Sequence, residues 1–155
     1  MEKIRELVER ELALLRELLP IDVAAVAWNG EEDRRLAWWA ASGCSDDRYR
    51  TLTIRSGRGL EGTVPRIGRP LVLDAGDPGT SRRREESALM LVEGLHSAAA
   101  YPISGDEGLC GVLLVGNRQA RSYSQDHLLV VQLSARWLGQ LRDYAEKGAP
   151  APHRH

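Results

Sequence analysis

Apolar positions within residues 1–19 recur by threes and fours, at Ile4, Leu7, Val8, Leu12, Leu15, Leu18 and Leu19. That spacing predicts one amphipathic helix, stopped by Pro20. Leu14 lies off the main stripe and widens it, which gives the helix apolar surface for a partner helix as well as for its own sheet. The period then changes. Residues 21–28 are rich in Val and Ala and end at Asn29-Gly30, a strong turn signal, and residues 36–42 follow as a second strand. Strict alternation in that strand puts Leu36, Trp38 and Ala40 on one face and Ala37, Trp39 and Ala41 on the other, so both faces are covered.

Further on the elements shorten. Residues 43–50 are polar and loop-like, 51–55 alternate as a short third strand, and 56–59 form a turn. Residues 60–67 carry a brief helical pattern closed by Gly68 and kept short by Pro65. Residues 71–73 predict a strand and 74–79 a loop. Residues 82–95 read as one helix, with Ala88, Leu89, Leu91, Val92 and Leu95 apolar. Residues 97–103 and 109–115 are two further strands around a turn at 105–108, the last almost wholly apolar as a central strand should be. A helix over 125–144 closes the pattern, with Ser124 as N-cap and a stripe of Leu128, Leu129, Val131, Leu133, Ala135, Leu138 and Leu141, joined by Trp137. Residues 148–155 read as a frayed tail, leaving 1–147 as a single domain. This order predicts an α+β fold. It is an antiparallel sheet of about six strands, with the N- and C-terminal helices packed on one face and short helices and loops roofing a pocket on the other.

Composition narrows the function. The chain has 155 residues, 43% of them hydrophobic, enough for one domain with a real core. Its 21 basic and 22 acidic side chains leave a formal net charge of −1, without the basic face that nucleic-acid binding needs. No apolar run is long enough for a membrane span and the N-terminus has no apolar signal segment, so the expected location is the cytoplasm. Two cysteines, Cys44 and Cys110, give neither a disulfide framework nor metal-ligand spacing, and His153 and His155 on the tail are a poor metal site.

One group of segments resembles the GAF domain family. They are Gly57-Arg58-Gly59-Leu60-Glu61-Gly62-Thr63-Val64, Gly68-Arg69-Pro70-Leu71-Val72-Leu73-Asp74, Ser97-Ala98-Ala99-Ala100-Tyr101-Pro102-Ile103, Gly111-Val112-Leu113-Leu114-Val115 and Ser122-Tyr123-Ser124-Gln125-Asp126. Within that family, the stretch from Leu36 through Trp38-Trp39, Ser42-Gly43 and Arg48-Tyr49 resembles the stand-alone NreA-type nitrate receptors. The resemblance implies a receptor, not an enzyme. It would bind nitrate and modulate a sensor histidine kinase of a two-component nitrate/oxygen system. Carried over by position, it implies ligand contacts from Trp38 and from Leu60 and Glu61 at the start of the short helix. A later family site falls on Ala88, Leu89 and Met90, where neither the aromatic nor the Pro of the family pattern stands. No resident cofactor or metal is implied.

The chemistry needs little. Nitrate is planar, singly charged and weakly hydrated, and a helix start offers unpaired N–H groups with roughly half a positive charge. Gly57 and Gly59 allow the tight turn that gathers those amides, and apolar walls strengthen each bond.

Alternatives stay open. The domain could bind another small ligand, or serve as an interaction module that forms a homodimer through its terminal helices. A reductase of free methionine sulfoxide would need a reactive Cys44. Asn117-Arg118 and Asp126-His127 half-match the pairs of cyclic-nucleotide GAF domains, and His96 reads as a hydrogen-bonded structural residue rather than an axial ligand. Arg82-Arg83-Arg84 is the one basic cluster, followed at once by Glu85 and Glu86.

Overall fold

In the computed structural model, residues 2–30, 34–74 and 76–147 are described. The tail expected over 148–155 lies outside the described residues. The elements run α1 (Glu2–Leu18), β1 (Val23–Asn29), β2 (Leu36–Ser42), α2 (Gly59–Ile67), β3 (Leu71–Leu73), α3 (Thr80–Glu85), α4 (Ala88–Glu93), β4 (Ser97–Gly105), β5 (Gly108–Asn117) and α5 (Gln125–Lys147). The five strands form one antiparallel sheet in the order β2-β1-β5-β4-β3.

Side-chain alternation divides the strands between two cores. One face carries Ala24, Val26, Trp28, Ala99, Tyr101, Ile103, Leu113 and Val115 against the buried stripes of α1 and α5. The other carries Val23, Ala25, Ala27, Ala98, Ala100, Val112 and Leu114, covered by Leu60 and Val64 of α2 and Leu89 and Met90 of α4. Four of these sheet residues are alanines, and their small side chains let the short helices sit close to the strands.

Three local expectations are corrected. The segment 51–55 is not a third strand. Asp46 accepts the Arg48 backbone N–H at 2.9 Å and starts a 3-10 turn over Asp47–Thr51, after which the chain meets β2 through the single bridge Ala37–Thr53. A short acid capping its own chain competes with strand pairing, and here it wins. The helix over 82–95 is instead two. Ser87 adopts an extended backbone and its hydroxyl accepts the Met90 N–H at 3.1 Å, so α4 starts afresh behind α3. In β2, Trp38 and Ala40 do not share a face. Ala27 pairs with Trp38 and Val26 with Ala40, so Trp39 is the extra residue of a β-bulge. Trp38 therefore enters the roof-side core, while Trp39 packs on the helix side with its ring centroid 5.8 Å from that of Trp28.

The terminal helices depart from the expected stripes in one respect. Leu18 on α1, and Leu129, Leu133 and Trp137 on α5, are exposed, together with Leu14 and Tyr144. Ser124 caps α5 as expected, its hydroxyl accepting the His127 N–H at 3.1 Å.

Candidate functional site

The roof side is built around the start of α2. Gly57 and Gly59 have φ of +79° and +66°, left-handed values that turn the chain sharply. Arg58 between them is extended and gives the helix no side-chain cap. Gly62 is required for a different reason: a Cβ there would stand 1.9 Å from the Arg55 carbonyl oxygen. The turn is locked onto the helix by the Gly57 N–H, which donates to the Gly62 carbonyl at 2.8 Å.

Glu61 supplies what Arg58 does not. Its carboxyl accepts from its own backbone N–H and from the Ser87 hydroxyl, which reaches Oε2 at 2.8 Å. Oε1 folds back over the first residue of the helix, since a Cβ on Gly59 would lie 2.9 Å from it. Glu61 is only 2% exposed. Burial pushes its carboxyl up to about 7, against the opposing pull of the two hydrogen bonds. A chain of donors results: the Met90 N–H donates to the Ser87 hydroxyl, which donates to Glu61. Two buried polar atoms here find no partner among the described residues, Glu61 Oε1 and the indole Nε1 of Trp38. Trp38 is 3% exposed and lies in one apolar cluster with Tyr49, Leu60, Leu89 and Met90.

The predicted residues thus separate. Trp38, Leu60, Leu89 and Met90 share that cluster, and Glu61 is tied to α4 through Ser87. Ala88, the first residue of α4, is half-buried outside the cluster. The Met90 N–H is already engaged by the N-cap of its own helix. The space beneath α2 is closed: Leu60, Leu89 and Met90 have no exposed surface. Open grooves lie instead along the outer edge of β2. One of about 680 Å³ is lined by Leu36, Thr53, Ile54, Gly62 and Pro65, and another of about 550 Å³ by Trp28, Leu36, Trp39, Ile54 and Arg142. Sequence reasoning missed Ser87, which had a signal, a hydroxyl residue directly before an apolar run; Tyr49 entered through the resemblance but was not given a place in the site.

The other candidates have structural partners. Glu93, 3% exposed, accepts at Oε1 from the Ser45 N–H at 2.9 Å, the Ser45 hydroxyl at 3.0 Å and Arg118 Nη2 at 2.7 Å. Arg118 also donates to the carbonyls of Glu93 and Gly43, and its N–H donates to Asp22 Oδ2 at 2.8 Å. Asn117 donates to the Pro20 carbonyl at 2.7 Å and accepts from Tyr123 at 3.0 Å. Both residues of the half-matched pair therefore hold the fold together. His96 Nδ1 lies 3.0 Å from the Arg118 carbonyl, as a structural histidine should. In the basic cluster, Arg84 donates to the Leu95 carbonyl at 2.6 Å and Arg83 to Thr63 on α2 at 3.4 Å. Burial raises the Cys44 thiol to about 12 and the Cys110 thiol to about 11, so neither offers a thiolate nucleophile near neutral pH.

A five-stranded antiparallel sheet with terminal helices on one face and short helices on the other is the arrangement of a GAF fold, and the comparisons agree. The GAF domain profile matches residues 3–141, and the chain belongs to that family. Among solved structures, one described as NreA protein from Staphylococcus aureus mutated in its nitrate binding site is 25% identical, with a TM-score of 0.65 over 83% of this chain and 97% of that one. A hypothetical protein from the same organism is 28% identical, with a TM-score of 0.62 over 73% and 94% of the two chains. The GAF domain of a phosphoenolpyruvate-protein phosphotransferase from Coxiella burnetii, 20% identical, superposes with a TM-score of 0.76 over 93% and 84%, a likeness of fold alone. No curated protein matches the chain. No helix among the described residues is long and apolar enough to cross a membrane.

Proposed function

We propose that this GAF domain is a receptor, without catalytic activity, for a small planar anion, nitrate first, and that it takes the anion between Trp38 and the start of α2. The observation that carries the reading is the Trp38 indole N–H. It is a donor buried in an apolar cluster without an acceptor, and an orphan of this kind costs roughly 1–3 kcal/mol that a bound acceptor recovers. The same cluster contains Leu60, the second residue of a helix whose N-cap side chain makes no cap bond, while the next amide, that of Glu61, is held by its own carboxyl. The likeness to a protein with a nitrate binding site supports the choice of anion. Entry requires the roof of α2 to α4 to open, and the ligand-dependent position of that roof is the signal read by a sensor histidine kinase in the cytoplasm. A ligand shifts such an equilibrium only by its differential affinity for the two states.

Nitrate is tested by thermal shift and calorimetry beside nitrite, chloride and sulfate. Stabilisation by nitrate above that by chloride is expected; equal effects end the anion reading. Trp38→Phe keeps most of the packing and removes the donor. It should leave the fold intact and weaken nitrate about tenfold, the worth of one buried hydrogen bond. A second reading, a homodimeric interaction module, is favoured by the exposed Leu129, Leu133, Trp137 and Tyr144 along α5.

A further inference from the structure

Resting on that reading, we infer that nitrate uptake is linked to a proton: Glu61 Oε1 accepts one proton from solvent for each anion bound, and its new O–H donates to the anion. Glu61 is a ligand-contacting, specificity-determining residue that already occupies the ground an anion would take. Its carboxyl sits at the helix start, is buried, accepts from its own backbone N–H and is gripped by the Ser87 hydroxyl at Oε2. The second oxygen is unpartnered and lies over Gly59. Two negative charges in this enclosed apolar space repel strongly. A single buried negative charge carries only its own desolvation cost, which Glu61 bears already when ionised. Protonating Oε1 as nitrate enters keeps the buried charge at one. It also turns the carboxyl from a competing acceptor into a donor.

The surroundings leave Glu61 as the group that titrates. The β4 and β5 faces behind α2 present Ala98, Ala100, Val112 and Leu114, and β2 presents Trp38. Nearby Tyr49 accepts from Arg50 Nε at 3.2 Å. On α2 itself the charges are Glu61 and Arg66. The α3 segment brings Arg82, Arg83, Arg84 and Glu85, of which Arg83 and Arg84 are bonded to Thr63 and the Leu95 carbonyl. Glu86 at its end, half-buried, lies 3.8 Å from the exposed Arg58, and Glu93 on α4 is bound by Arg118. Burial is the largest influence on Glu61, and its raised value of about 7 places the linkage near neutral pH.

The experiment titrates the full chain with sodium nitrate, from pH 5.5 to 8.5, in pairs of buffers with different ionisation enthalpies. Above neutral pH, wild type should take up close to one proton per nitrate, and affinity should fall about tenfold per pH unit. Glu61→Gln, a neutral donor of the same shape, should bind with no proton uptake and no pH slope. Nitrate binding to wild type without proton exchange, or proton uptake persisting in Glu61→Gln, overturns the inference and leaves the receptor reading standing. If nitrate binds neither protein at any pH, the receptor reading itself falls and takes the inference with it. The proton count on wild type needs no variant, so a poorly folded Glu61→Gln does not blunt the test.

Discussion

Glu61 also shapes stability in the absence of any ligand. Its carboxyl is raised from 4.5 to about 7, so the folded chain holds this proton more tightly than the unfolded chain does. The contribution is fully present below about pH 4.5 and is lost as pH rises through about 7, for a total on the order of 3 kcal/mol. Thermal unfolding of wild type should therefore show a melting temperature that declines from pH 5 to pH 8. Glu61→Gln should lose most of that decline. An unchanged slope in the variant would mean that Glu61 is not the group responsible. At this scale Trp38 and Leu60 were singled out by the family resemblance alone, and both lie in the roof-side core. The sequence could not show that Ser87, 26 residues away, would grip Glu61, because that pairing exists only once α4 is laid beside α2.

Among the elements, α2 is the one with least freedom. Its Gly62 sits against the Arg55 carbonyl with no room for a Cβ. Gly62→Ala must push the preceding turn away from the helix and should cost about 2–4 kcal/mol, read as a lower urea midpoint with an unchanged slope. A midpoint equal to wild type would show that the turn yields freely. The bounds of β2 and β3 match the expected ones residue for residue, and α1, β4, β5 and α5 differ from theirs only at the ends. Where a short polar side chain captured the backbone, pattern failed. Asp46 turned an expected strand into a 3-10 turn, and Ser87 divided an expected helix in two. The bulge at Trp39 is a third such case, since alternation along β2 carries no sign of an inserted residue.

Across the whole molecule, polar and apolar surfaces are unevenly shared. Leu129, Leu133 and Trp137 follow one another at i, i+4 spacing on the outer side of α5 and are 52%, 53% and 44% exposed. A stripe of this kind is suited to a second helix. If it is the dimer surface, sedimentation should show a concentration-dependent dimer, and Trp137→Glu should return it to monomer without lowering the melting temperature at low concentration. A monomer at all concentrations would remove the dimer reading. The placing of the terminal helices on one face and the short elements on the other was readable from the chain, although β2 breaks its alternation at the bulge. The sealed space beneath the roof was not, because it depends on how closely α2 and α4 settle over four alanines.

Arg118 touches three joints at once. It holds Glu93 at the end of α4, Gly43 where β2 leaves the sheet, and Asp22 where α1 hands over to β1. One residue thus joins the last turn of α4, the exit of β2 and the turn between α1 and β1, and the seam it makes runs around the rim of the sheet rather than through its greasy interior.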